Sequence, residues 1–133
     1  MNMENILIKE NKEAPYYPSV NFNVETGVCE IAGESYMEET FKFYSPLLDW
    51  IKEFLKQDQK PLTLKIKLTY FNTNSSRLIL DMFDIIKQNK EKGKKIIVNW
   101  YYDPTDPDMI DEVEDFEMET GLDINLIELN KQD

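Results

Sequence analysis

The 133-residue chain contains no histidine. That excludes a Ser-His-Asp or Cys-His nucleophile pair, a His-ligated zinc and a histidine general base within the chain. Cysteine is nearly absent: Cys29 stands alone, so neither an internal disulfide nor a thiolate metal cage can form, which suits a reducing compartment. The glycines number four, and none belongs to a GxGxxG or GxxxxGK[ST] phosphate loop, so nucleotide binding has little support. No apolar run approaches the ~20 residues that span a bilayer, and Met1 to Lys9 lack the basic flank and long apolar stretch of a signal peptide. What is present, 41% hydrophobic and 12% aromatic residues, supplies a core. At this length about two-thirds of the unfolded chain's surface can be buried. The expectation is one soluble, cytoplasmic domain over residues 1–133.

Positive charge is missing from one stretch. Between Asp103 and Glu128 there are eleven acidic residues and no Lys or Arg, while the other 15 acidic residues balance the 15 basic ones. That segment therefore carries the whole net charge of −11. Such a field repels phosphate backbones and anionic lipid, so neither nucleic acid nor membrane insertion is expected. A basic protein surface is the better partner, and a solvated helix face is the simpler use.

Residues 1–18 read as an irregular lead-in, with Ile6, Leu7 and Ile8 able to add a short edge strand. Alternation of Val20, Phe22 and Val24, a Glu25-Thr26-Gly27 turn, and Val28 to Ala32 predict an antiparallel hairpin. A helix follows. Ser45 is its expected cap and Pro46 its first residue, with Leu47, Leu48, Ile51, Phe54 and Leu55 as the apolar stripe; the segment from Glu38 to Phe43 can form a separate turn. Leu62, Leu64, Ile66, Leu68 and Tyr70 then mark the clearest strand, opened by Pro61. After a polar break at 72–76, a second helix buries Ile79, Met82, Phe83 and Ile86 and ends at Gly93. Ile96 to Tyr101 is a strand. Asp106 and Pro107 start a third helix with Met109, Ile110, Val113 and Phe116 inward, Gly121 stops it, and Ile124 to Leu129 is the last strand before a frayed tail, 130–133. The order is a hairpin followed by α-β-α-β-α-β. Short connections in the second half call for parallel strands with right-handed crossovers, hence an α/β fold: a small mixed sheet with helices mainly on one face.

Tyr70-Phe71-Asn72-Thr73-Asn74-Ser75-Ser76-Arg77 is the richest stretch chemically. It lies where a strand ends and a helix begins, where backbone N–H groups and the helix dipole favour negative charge. Capping by Asn74 or Ser75 needs one such residue and five polar ones are present, so a second use is weighed: binding an anion, or carrying one as a phosphorylated hydroxyl. Asp108, Asp111, Glu112 and Asp115 share a helix face and offer a weaker alternative, a hard-cation site in a metal-dependent enzyme. Trp50, Trp100, Tyr101 and Tyr102 read as core or core-edge packing rather than as a stacking platform. Free Cys29, on or beside a predicted strand, reads as a small apolar residue rather than a reactive thiol.

Asn72-Thr73-x-Ser75 with its following helix, Trp100-Tyr101-Tyr102-Asp103 before an acidic helix, Ile31-Ala32-Gly33-Glu34-Ser35-Tyr36 and Asp49-Trp50 together resemble the SiaC family of bacterial regulatory phosphoproteins over roughly residues 15 to 127. The resemblance implies a STAS-like fold, similar to the anti-sigma-factor antagonists, and a non-enzymatic role in a partner-switching circuit. In that family a dedicated Ser/Thr kinase phosphorylates a threonine and a PP2C-type phosphatase removes the phosphate. The unphosphorylated form activates a diguanylate cyclase, raising cyclic-di-GMP and favouring aggregation or biofilm growth. Carried over, the phosphorylated threonine falls on Thr73, with Tyr70, Asn72, Asn74, Ser75, Ser76 and Arg77 around it. Asn74 and Arg77 depart from the serine and lysine of the pattern. No catalytic residue, cofactor or metal is implied. An anti-sigma-factor antagonist phosphorylated on Ser75 or Ser76 and controlling transcription is the alternative.

Overall fold

A computed structural model describes residues 3–57 and 60–129. The lead-in contributes β1 (Ile6–Ile8), which pairs antiparallel with β2 (Ser19–Phe22). β2 pairs antiparallel with β3 (Val28–Ser35), giving the expected hairpin. Gly27 closes that turn at φ +73°, and a Cβ there would lie 2.3 Å from the Pro61 carbonyl oxygen, so only glycine fits. Three strand–helix–strand units follow: α1 (Thr40–Lys56), β4 (Leu62–Phe71), α2 (Thr73–Glu91), β5 (Ile96–Tyr102), α3 (Asp108–Thr120) and β6 (Asn125–Glu128). The strands from β3 onward are parallel, and all six lie in chain order across one sheet. Successive right-handed crossovers that always step in the same direction must lay their helices on the same face. The architecture is therefore two-layered. α1 packs on α2, and α2 on α3.

Burial follows that geometry. Leu62, Leu64 and Ile66 of β4 and Ile96, Val98 and Trp100 of β5 face the helices and are buried. They meet Leu47, Ile51 and Phe54 of α1, Ile79, Met82, Phe83 and Ile86 of α2, and Met109, Val113 and Phe116 of α3 in one core. Each such side chain contributes about 1.5–3 kcal/mol on leaving water. Trp100 stacks on Phe116 with ring centroids 5.8 Å apart, and Trp50 donates its indole N–H to the Glu4 carbonyl at 2.8 Å. Cys29 is buried, and desolvation raises its thiol pKa far above the ordinary value. The opposite face of the sheet is polar: Lys67 holds Glu30 at 3.0 Å and lies 5.1 Å from the Tyr101 ring centroid.

The structure corrects five local expectations. Asp106 does not cap α3, which starts at Asp108 with Pro107 at the N-cap position. Ser45 and Pro46 do not start α1, which begins at Thr40 and runs through Pro46. The bond lost at Pro46 is the one to the Lys42 carbonyl, and both residues are exposed, so water can satisfy that oxygen. Alternation along β4 does not carry through to Tyr70. Gly33 pairs with Leu68 and Glu34 with Tyr70, leaving Thr69 as an extra, bulged residue. Gly33 adopts φ +109° at that shift. The bulge reverses the pleat, so Phe71 turns into the core against Trp100 while Tyr70 turns outward. Ile110 is only partly buried. Finally, β6 starts at Asn125 because the Glu117 carboxylate takes the Ile124 N–H at 3.0 Å. Gly121 does end α3, at φ +73°. The expected frayed tail lies outside the described residues.

Candidate functional site

The first turn of α2 sits at the carboxyl end of the parallel strands, and its start is fixed by capping. Asn72, extended at ψ 177°, accepts the Ser75 N–H on its side chain at 2.9 Å. The cap is thus Asn72, not Asn74 or Ser75 as the sequence suggested. Thr73 becomes the first helical residue and is exposed, as are Asn74 and Arg77, while Ser76 is half-buried.

Ser75 is fully buried, at 0% exposure. Its Oγ donates to the Ser35 carbonyl at 3.0 Å. A serine has one hydroxyl proton, so the 2.7 Å contact between the two Oγ atoms must have Ser35 donating to Ser75. The 2.7 Å contact between Ser35 Oγ and Tyr44 Oη then has Tyr44 donating. Proton order then runs along Tyr44, Ser35, Ser75 and the Ser35 carbonyl, the Ser35 proton going to Ser75 at 2.7 Å rather than to Met37 Sδ at 4.0 Å. That carbonyl also accepts the Asn72 N–H at 3.0 Å. Desolvation raises the Tyr44 phenol pKa to about 12, with the hydrogen bonds to Ser35 and Ser75 opposing it more weakly, so Tyr44 stays a donor. This chain ties α1, the end of β3 and the start of α2 together beneath Thr73. Ser75, offered by the sequence as a possible phosphate acceptor or contact residue, presents no hydroxyl to solvent, whereas Thr73 does.

On the exposed side, Thr73, Ser76, Arg77 and Leu80 of α2 face Glu112, Asp115, Phe116 and Glu119 of α3 across a cleft of about 350 Å³. Among the described residues, Arg77 is the one cation lining it, against three carboxylates. Among the described residues, no three acidic or thiol side chains converge as a metal site would require, and the cation-site expectation for Asp108, Asp111, Glu112 and Asp115 gains nothing. Tyr70 is half exposed and stands beside the first turn of α2 because of the bulge. The sequence reading missed Ser35 and Tyr44. A serine at an inward position of β3 was the available signal; that Tyr44 would meet it depends on how α1 crosses the sheet.

An accessible helix-start hydroxyl beside a charged cleft, on a one-sided α/β sheet, suits a small regulatory protein. The family described as "SiaC family regulatory phosphoprotein" matches residues 8–129, and the chain belongs to that family. A similar protein is the uncharacterized protein PA14_02130 of Pseudomonas aeruginosa (strain UCBPP-PA14), 27% identical over 99 residues that cover 74% of this chain and 79% of that one. Crystallographic apo-SiaC from Pseudomonas aeruginosa has the same fold, with TM-score 0.85 and 23% identity, covering 94% of this chain and 99% of that one. SiaC from the same organism, solved as the activator in complex with the diguanylate cyclase SiaD, aligns with TM-score 0.83 and 22% identity over 96% of this chain and all of that one. Among the described residues, no helix is long and apolar enough to cross a membrane.

Proposed function

We propose that this chain is a non-enzymatic cytoplasmic signalling protein, reversibly phosphorylated on Thr73, whose unphosphorylated form binds and activates a diguanylate cyclase. Exposure of Thr73 at the first position of α2, two residues from a buried Ser75, is the observation that carries the reading. A dedicated Ser/Thr kinase and a PP2C-type phosphatase would set the phosphorylation state, and the cyclic-di-GMP produced would favour aggregation or biofilm growth. Family membership and the SiaD complex of the Pseudomonas aeruginosa protein support this.

Phosphate on Thr73 adds a charge of about −1.5 to −2. The helix start favours an anion by about 0.3–1 kcal/mol, and Arg77 lies one turn along the same cleft, so the folded domain tolerates it. A partner packed over Thr73 would have to bury that charge facing Glu112, Asp115 and Glu119. An uncompensated buried charge costs about 3–5 kcal/mol, which weakens binding by roughly a hundredfold or more. The switch thus needs no change of fold.

The test is intact mass and phosphosite mapping of the protein from its own cells, with and without phosphatase, followed by cyclase binding. Phosphate on Thr73, and cyclase binding by Thr73→Ala that kinase treatment leaves unchanged while abolishing wild-type binding, is the expected result. Phosphate confined to Ser76 would move the reading to a sigma-factor circuit, and absence of phosphate in every growth condition would remove the switch.

A further inference from the structure

Three tyrosine rings run in a row toward the switch turn. Tyr16 and Tyr36 have centroids 6.0 Å apart, and Tyr36 and Tyr70 5.8 Å. The row is held from behind: the Tyr36 N–H donates to the Tyr16 carbonyl at 3.0 Å, and Tyr17 packs on Phe43. Anchoring the lead-in requires Tyr17, yet the other three rings remain 38–50% exposed. Tyr16 and Tyr36 border a hollow of about 450 Å³ between β3 and α1, lined by Tyr16, Tyr17, Tyr36, Met37, Glu38 and Glu39, and Tyr70 continues the row beyond it. Every charged side chain in that lining is acidic. Glu39 meets Lys42 at 3.4 Å, but both are largely exposed, and such a pair yields readily to a better-placed cation.

Tyrosine faces attract cations, and a planar guanidinium can stack on a ring while its N–H groups reach a carboxylate. An apolar occupant would desolvate Glu38 and Glu39 with nothing to pair them. A nucleic acid could stack on the rings, but its phosphates would meet a chain of net charge −11. We propose that this hollow is the docking site for an arginine on a basic segment of the protein partner, continuous through Tyr70 with Thr73. The proposal rests on the effector-binding reading and adds to it the chemistry by which the effector is held.

The probe is a capped, alanine- and serine-based peptide carrying two arginines, beside a copy with citrulline in their place, titrated into the labelled full chain and followed by amide NMR shifts. The arginine peptide should shift Tyr16, Tyr36, Glu38 and Tyr70, and should bind at least tenfold more tightly than the citrulline peptide. The double variant Glu38→Gln, Glu39→Gln, which retains shape and should fold, should lose at least tenfold, as should Tyr36→Ala. Equal binding of the two peptides, shifts centred on Glu112 and Asp115, or no saturable shift overturns the site. Cyclase binding separates the two claims. A purified cyclase from the same bacterium that binds wild type and the Glu38/Glu39 variant equally removes the docking site and leaves the switch. If unphosphorylated wild type binds no cyclase, the switch reading falls and the peptide titration alone decides the hollow.

Discussion

The two sides of α2's first turn carry the same chemistry in opposite surroundings. Thr73 and Ser75 are hydroxyls two residues apart, one in water above a carboxylate-lined cleft, the other sealed in a hydrogen-bonded chain with Ser35 and Tyr44. On the proposed reading, a helix start of this kind separates signalling from folding: the wet side would change its charge while the dry side holds the turn in place. Helical geometry makes the division, since residues two apart point to different sides of a helix.

A carboxylate placed on each side is the sharpest way to break the comparison. Ser75→Asp should destabilise the domain by about 3–5 kcal/mol, because the charge would be buried beside the Ser35 carbonyl. Thr73→Asp should move stability by less than about 1 kcal/mol, the helix dipole favouring the charge and the α3 carboxylates opposing it. Thermal unfolding of the two variants against wild type reads the difference. Similar midpoints would mean that the turn is not divided as described.

Much of this division lay beyond the reach of periodicity. The hairpin, the parallel half and the buried stripes of α1 and α2 were legible because each is a local pattern of apolar spacing. The start of α1 was not, because Pro46 usually marks a first turn and here sits within a helix at a solvent-facing position. The outward turn of Tyr70 depends on the bulge at Thr69, which depends on pairing with β3. Thr73 became the proposed phosphosite only through the family resemblance, whereas its exposure and the burial of Ser75 depend on the cap being Asn72. Ser35 and Tyr44 meet across three elements, a contact that no local spacing encodes.

The buried side should also leave a signature in alkali. Tyr44 titrates near 10 when unfolded and is raised to about 12 in the fold, so the folded state holds its proton longer. Its contribution is complete below pH 10 and is lost as pH rises toward 12, amounting to about 3 kcal/mol over that window. Cys29 shifts in the same direction by desolvation, so both add to the alkaline fall in stability. Tyr44→Phe removes one of them. The variant should be less stable than wild type at neutral pH by about 1–2 kcal/mol, since Ser35 loses a donor; because ionisation of Tyr44 costs wild type more than that, the gap should close above pH 10 and reverse by about pH 12. Denaturant midpoints across pH measure it, and a gap that stays constant would place the Tyr44 proton elsewhere.

The smallest effect belongs to the cap and the exposed hydroxyl themselves. Asn72→Ala removes the acceptor for the Ser75 N–H and should destabilise by about 1 kcal/mol. Thr73→Ala touches no such bond and should stay within about 0.5 kcal/mol of wild type, as exposed substitutions usually do. Amide hydrogen exchange sharpens this further. Asn72→Ala should speed exchange of the Ser75 amide, which relies on that side chain, while Thr73→Ala should leave it slow. If both variants opened the turn equally, Thr73 would be part of the structural clamp, and loss of partner binding on modifying it would follow from fraying of α2 rather than from charge at an intact surface.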